Sequence, residues 1–404
     1  MRQLKVLIIT SKYPRYKDDP QPSFTYYLAR ELVKESIKVT VISPHDNLAK
    51  EYENLGGIEV HRFKYFYPAR FQKLAYGGGI PENIKTSFLA KTQIPLFLIS
   101  QIIFCKRLIK KINPDIIHVH WAIPQALTAS LLNKPYIVTI YGGEVFLSKK
   151  LKLIKLLNHL IKKSKSTFAI TNSLRNIMYD FGVKEKVGVI PLGVDTKKFK
   201  PNIKGWQAVR KKYCKKNDLL ILSVSRLVEK KGTIYLIEAF AKVLKKIPNC
   251  KLVIVGDGYL YDSLVKRTKE LKIYNKVIFT KEIGHKELPK YYCASDLFVL
   301  PSIIDRRGDR ETQGVVYLEA MACKCPVIGT NTGGIVDVIT DNKTGKLVPQ
   351  KDSNSLSEEM INLLKNKNIK KRYTDNAYKK VIKEFSWSSI AKQYISKYKK
   401  YRQI

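Results

Sequence analysis

Short apolar runs alternate with amphipathic stretches along the whole chain. In the first half, residues 5–10, 38–43, 116–120, 136–140, 167–171 and 187–190 read as buried strands. Between them, stretches such as 24–36, 95–112 and 173–179 space their apolar residues as helices do. The second half restarts the pattern, with strands at 219–224, 251–255, 276–279, 297–300 and 326–330. Helices are expected there at 233–246, 261–270, 315–323 and 355–366. Such alternation predicts an α/β fold of two Rossmann-like domains facing each other across a cleft, with ligands beyond the carboxyl ends of the strands. The seam falls near 191–201, where Pro-Leu-Gly-Val-Asp leads into a lysine-rich connector. The domains expected are 1–190 and 191–384, followed by a terminal helix over 385–404 that offers Trp387, Ile390, Tyr394, Ile395 and Tyr398 for packing.

Length agrees with this division, because 404 residues exceed what one hydrophobic core usually supports. With 45% hydrophobic and 27% charged residues, the composition is that of a globular chain and excludes general disorder. The longest apolar segment, 94–105, is interrupted by Pro95, Ser100 and Gln101, so no membrane span is expected. Residues 5–10 read as a strand rather than a signal peptide. The six cysteines are scattered, and Cys323 and Cys325 alone make a poor metal site, so buried thiols in a reducing cytoplasm are expected.

The formal net charge of +40 suits nucleic acid, an anionic membrane or phosphorylated substrates. No helix-turn-helix, zinc-finger or RNA-binding signature is present, so no nucleic-acid partner is expected. Attachment to the cytoplasmic face of an anionic membrane is one reading, and a lysine-rich composition without a specific partner is the other. Residues 93–111, an apolar run joined to Lys106, Arg107, Lys110 and Lys111, either lie on such a membrane or cover the N-terminal sheet.

The strongest chemistry lies in residues 301–334. Glu311 and Glu319 are eight positions apart, which on one ideal helix leaves them roughly 80° apart in azimuth. Glu311 therefore belongs in a loop and Glu319 two turns into a helix that starts near Gly314. The free amides of Gly314, Val315 and Val316 would then favour sugar and phosphate oxygens. A carboxylate such as Glu319 suits the paired hydroxyls of a ribose. Arg226 and Lys231 follow the strand 219–224, where a Rossmann half presents its phosphate loop, and cations there stabilise a departing diphosphate.

The run ETQGVVYLEAMA (311–322), followed by PVIGTNTGG, resembles the E-x7-E motif of retaining glycosyltransferase family 4, which has the GT-B fold. Gly193-Val194-Asp195 with Phe199, SRLVEKKG (225–232), VGDGYL (255–260) and SDLFVLPS (295–302) match further motifs of that family in order. The resemblance implies a hexosyltransferase acting on a nucleotide sugar and a glycan or lipid-linked acceptor, in cell-surface polysaccharide synthesis. It implies that Glu311 meets the donor sugar and Glu319 the ribose, with Gly256, Gly314, Val315 and Val316 beside the donor. Arg226 and Lys231 would hold the leaving group, and His120 would lie against the donor sugar. It also implies that the terminal helix crosses back to the N-terminal domain.

Glu144, after Tyr141-Gly142-Gly143, either meets a substrate hydroxyl or is merely exposed. Ser23 is expected to N-cap the helix from residue 24 and leave an anion site there. No strict D-x-D motif occurs, so no metal and no cofactor are expected. A nucleotide-sugar epimerase and a non-catalytic basic scaffold are the rival readings. A dehydrogenase is excluded by the missing G-x-G-x-x-G turns.

Overall fold

The computed structural model describes residues 2–17, 19 and 23–402. The chain divides into two compact units, Met1–Pro191 with Ile390–Ile404, and Leu192–Ser389.

Unit 1 is built on an eight-stranded sheet in the order β3-β4-β2-β1-β5-β6-β7-β8. Its strands are β1 Lys5–Ile9, β2 Lys38–Pro44, β3 Tyr52–Leu55, β4 Ile58–Phe63, β5 Ile116–His120, β6 Tyr136–Ile140, β7 Ser166–Ala169 and β8 Val187–Val189. All neighbouring strands pair in parallel except β3 with β4. The central strands are buried almost end to end, because helices cover both faces, and β5 carries His118 and His120 among its apolar residues. The hairpin β3–β4 departs from the sequence expectation. It turns at Gly56 and Gly57, both at positive φ, and β3 is short, polar and at the sheet edge, so it carries little apolar signal. Helix Ile94–Ile112 buries Phe97, Gln101, Cys105 and Leu108, and Phe97 packs edge-on against Phe63 of β4 at 5.1 Å between centroids. One face of that helix thus covers the sheet.

Unit 2 carries a six-stranded parallel sheet in the order β11-β10-β9-β12-β13-β14. Its strands are β9 Leu219–Val224, β10 Cys250–Val255, β11 Val277–Phe279, β12 Leu297–Leu300, β13 Val327–Thr330 and β14 Lys346–Val348. The three-residue β14 is too short to show a pattern and was not expected. Chain order reverses between β9 and β12, the topological switch beyond whose carboxyl ends a Rossmann-type sheet opens to ligand. Leu222, Phe298, Tyr317 and Met321 lie in the core cluster beneath that point. Among the described residues, no helix is long and apolar enough to cross a membrane.

Candidate active site

Unit 2 gathers most of the expected groups at the switch point. After β9 the chain passes through Arg226 and a short turn, Glu229–Lys231, to Gly232 and helix Thr233–Lys246. The turn is fastened to the end of β12: Ile303 N donates to Lys230 O at 2.8 Å, and a Cβ on Gly232 would lie 2.0 Å from Pro301 O. Only glycine allows that approach, and its φ of +63° suits glycine as well. Gly256, after β10, is similarly constrained: its φ is +136° and a Cβ would meet Ser225 O at 1.8 Å.

The acidic half of the site comes from the loop before helix Val315–Ala322. Gly314 occupies the N-cap in the left-handed region, so Glu311 stands in the loop and Glu319 in the helix, as the spacing requires. Gly334 N donates to the Glu311 carbonyl at 3.0 Å, and the absent Cβ of Gly333 leaves room for that carbonyl. The Glu311 carboxylate forms an ion pair with Lys231, and both side chains are only 14% exposed. Burial by itself raises the Glu311 pKa, but the charge and hydrogen bond of Lys231, with help from Lys230, bring it below its ordinary value. Lys230 itself pairs with Asp309 at 2.9 Å. Of these two adjacent lysines, Lys231 is therefore the partner of Glu311. Arg226 is exposed and has no ion pair among the described residues, which leaves its guanidinium available to an anion.

Glu319 is buried, and its two oxygens are held separately. Tyr292 donates to Oε2 at 2.9 Å, and His285 Nε2 lies 3.0 Å from Oε1. The other ring nitrogen, His285 Nδ1, is 2.6 Å from Lys198 Nζ. An ammonium only donates, so Nδ1 accepts and Nε2–H is the donor to Glu319. Burial, and then the charge of Glu319, push the Tyr292 phenol well up, so it stays protonated and donates. Burial also lowers Lys198, against the pull of Glu319 and Asp195. Lys198, His285, Glu319 and Tyr292 thus form one polar chain under the ring of Phe199, whose centroid is 5.3 Å from His285 and 6.0 Å from Tyr292. The sequence reading overlooked these three partners. A tyrosine at a helix position that must be buried was the available signal, since its hydroxyl needs a partner.

The remaining candidates lie in unit 1. His118 and His120 sit on β5 with ring centroids 4.2 Å apart. Both His118 nitrogens are engaged, by Tyr398 at 2.6 Å and Thr139 at 2.8 Å, so that ring is fixed by the terminal helix and β6. His120 Nδ1 bonds Tyr141 at 2.5 Å, while Nε2 is buried with no protein partner among the described residues. Burial holds His120 neutral, lowering its pKa to about 3.

One alternative is removed here and one expectation corrected. Glu144 is not exposed: it is 1% accessible, and its oxygens accept from the amides of Tyr141 and Gly142, each at 3.0 Å. Those bonds only partly offset burial, which raises its pKa to about 7. Ser23 stands at the N-cap, but its side chain makes no cap bond; the hydroxyl turns to Lys12 O at 3.4 Å. The preceding residues 20–22 lie outside the described residues. Also among the described residues, no three His, Cys, Asp or Glu side chains gather as a metal set.

Comparison with known proteins assigns residues 206–380 to the model described as glycosyl transferases group 1, and residues 22–198 to glycosyltransferase family 4. The chain is 27% identical to an uncharacterized glycosyltransferase of Methanocaldococcus jannaschii over 98% of both chains. It is 33% identical to a GDP-mannose-dependent alpha-(1-6)-phosphatidylinositol monomannoside mannosyltransferase of Mycolicibacterium smegmatis, over 46% of this chain and 48% of that one. A solved glycosyltransferase from Rickettsia africae superposes with a TM-score of 0.77 at 22% identity, covering 99% of both chains.

Proposed function

The chain belongs to glycosyltransferase family 4, with two parallel-sheet units of the GT-B fold, and from that premise we propose that it transfers a hexose with retention from a nucleoside-diphosphate sugar to a glycan or lipid-linked acceptor. The epimerase and scaffold readings lapse with the family assignment. The observation that carries the proposal is the Lys231–Glu311 pair beside the start of helix Val315–Ala322. A diphosphate needs cations, and Lys231 and the unpaired Arg226 supply them. A sugar needs oriented acceptors and donors, which Glu311 and the leading amides of the helix supply. Glu319, held on both oxygens, accepts from the ribose hydroxyls. His120 Nε2 is the unit 1 nitrogen left for a substrate hydroxyl.

In this reading the acceptor oxygen bonds to the anomeric carbon on the face from which the diphosphate leaves. The bond from that carbon to the phosphate oxygen breaks, and its electron pair stays on the diphosphate. A phosphate oxygen takes the acceptor proton. Charge grows on the diphosphate as the bond breaks, so preplaced cations stabilise the transition state more than the ground state. No protein nucleophile and no metal is required. The mycobacterial relative, by its name, uses GDP-mannose and a phosphatidylinositol-linked acceptor, which supports a donor and an acceptor of these classes.

The test is a panel of nucleotide sugars scored for donor hydrolysis, with and without chelator, followed by NMR of the anomeric product. One donor turned over with retention and indifferent to chelator supports the proposal. An inverted product or strict metal dependence refutes it.

A further inference from the structure

Helix Ile94–Ile112 is apolar on two sides. At roughly 100° per residue, its buried Phe97, Gln101, Cys105 and Leu108 share one face. Leu96, Ile99 and Ile103 fall on the opposite one, and they are 44%, 54% and 45% exposed. The same outer stripe continues through Lys106, Arg107 and Lys110, all exposed. A surface helix normally turns polar residues outward, so a second apolar stripe needs cover.

The stripe has exposed apolar and basic neighbours within unit 1. Phe88, on helix Phe88–Thr92 just before it, is 80% exposed. Gln93 ties the loop bearing Phe71 to this helix: its Nε2 donates to Phe71 O at 2.6 Å, and its Oε1 accepts from Lys73 N at 3.0 Å. Arg70 lies over the exposed Phe71 ring at 5.0 Å. Between Tyr67 and Lys111 there are eight exposed basic residues and one acidic residue, Glu82, which already pairs with Lys85. The other seven basic residues have no acidic partner among the described residues.

We propose that this face docks on an anionic phospholipid bilayer, with Leu96, Ile99, Ile103 and Phe88 entering the acyl boundary and the basic residues meeting lipid phosphates. The charge selects the occupant. A second copy of the chain would set this positive patch against itself, as an isologous interface must, and like charges would oppose pairing. A nucleic acid would satisfy the lysines but leave three aliphatic side chains in water. An anionic bilayer accepts both halves of the stripe. The inference does not depend on the transfer reaction.

Vesicle flotation tests it, using phosphatidylcholine alone and phosphatidylcholine with about one third phosphatidylglycerol. The full chain is expected to float with the anionic vesicles only, and to be released by high salt. The double substitution Lys106→Gln and Arg107→Gln is expected to lower the partition coefficient about thirtyfold. Ile99→Ser with Ile103→Ser is expected to lower it at least about tenfold. Both pairs are exposed, and unchanged circular dichroism verifies that the variants fold. Lys365→Gln with Lys367→Gln, exposed on unit 2, is the control for bulk charge and is expected to bind as wild type. Equal flotation with neutral vesicles, equal loss in the control pair, or a dimer in sedimentation that Ile99→Ser dissolves would each overturn the proposal.

Discussion

Replacing Tyr292 by phenylalanine removes one oxygen and little else. The ring keeps its packing against Phe199 and Phe298, with centroids at 6.0 Å and 5.6 Å. What disappears is the bond to Glu319 Oε2 at 2.9 Å, leaving a buried carboxylate with His285 as its remaining side-chain donor among the described residues. A hydrogen bond to a charged group contributes about 1.5–3 kcal/mol. For a unit of this size, a loss of about 2 kcal/mol lowers the melting temperature by about 4–8 °C. The freed carboxylate also loses its fixed rotamer, and the proposed ribose contact requires that rotamer. Because ribose is held alike in ground and transition states, the expected kinetic signature is a donor KM raised about tenfold with kcat within about twofold. Differential scanning fluorimetry and steady-state donor hydrolysis measure the two effects. Unchanged melting and KM would refute the positioning role, and so would a collapse of kcat at constant KM.

Other outcomes follow from the same geometry. Lys198→Met removes the donor that fixes the His285 tautomer, so donor KM should rise with kcat nearly unchanged, a split that a purely structural role does not produce. Gly232→Ala places a Cβ 2.0 Å from Pro301 O at a φ of +63°, so the variant should lose several kcal/mol of stability and all donor binding by calorimetry. Glu144 has a folded pKa of about 7, above its ordinary 4.5, so its stability contribution is full below pH 4.5 and is lost as pH rises through 7. By hydrogen exchange of β5 and β6, wild type should lose about 3 kcal/mol relative to Glu144→Gln over that window; parallel curves would contradict the buried carboxyl. The opposite sign holds for His120, whose pKa of about 3 means its contribution is present above pH 6.5 and lost as pH falls. Its imidazole resonances should not titrate between pH 5 and 8.

The central strands of both sheets were legible because strands buried on both faces read as short, largely apolar runs: β5, β6, β9 and β12 run as expected from the pattern. Edge strands β3 and β14 were not, since a short half-exposed strand has neither a run nor a clear alternation. Glycine punctuation together with the spacing of Glu311 and Glu319 located the start of helix Val315–Ala322. Tertiary partners escaped. Nothing local in the sequence reveals that His285 and Tyr292 meet at Glu319, or that Lys198 stands behind His285. The burial of Glu144 was equally hidden, because a carboxylate that caps its own turn looks in sequence like any surface acid.

Arg226 offers the cleanest test of the proposed diphosphate site, since its exposed guanidinium, unpaired among the described residues, can be removed without leaving a buried partner. Calorimetric titration should compare the nucleoside with its diphosphate on wild type, Arg226→Gln and Lys231→Gln. Diphosphate affinity is expected to fall about tenfold in each variant, with nucleoside affinity unchanged and the melting temperature of Arg226→Gln unaltered. Diphosphate binding as tight in both variants as in wild type would contradict the assignment of these two cations to the leaving group.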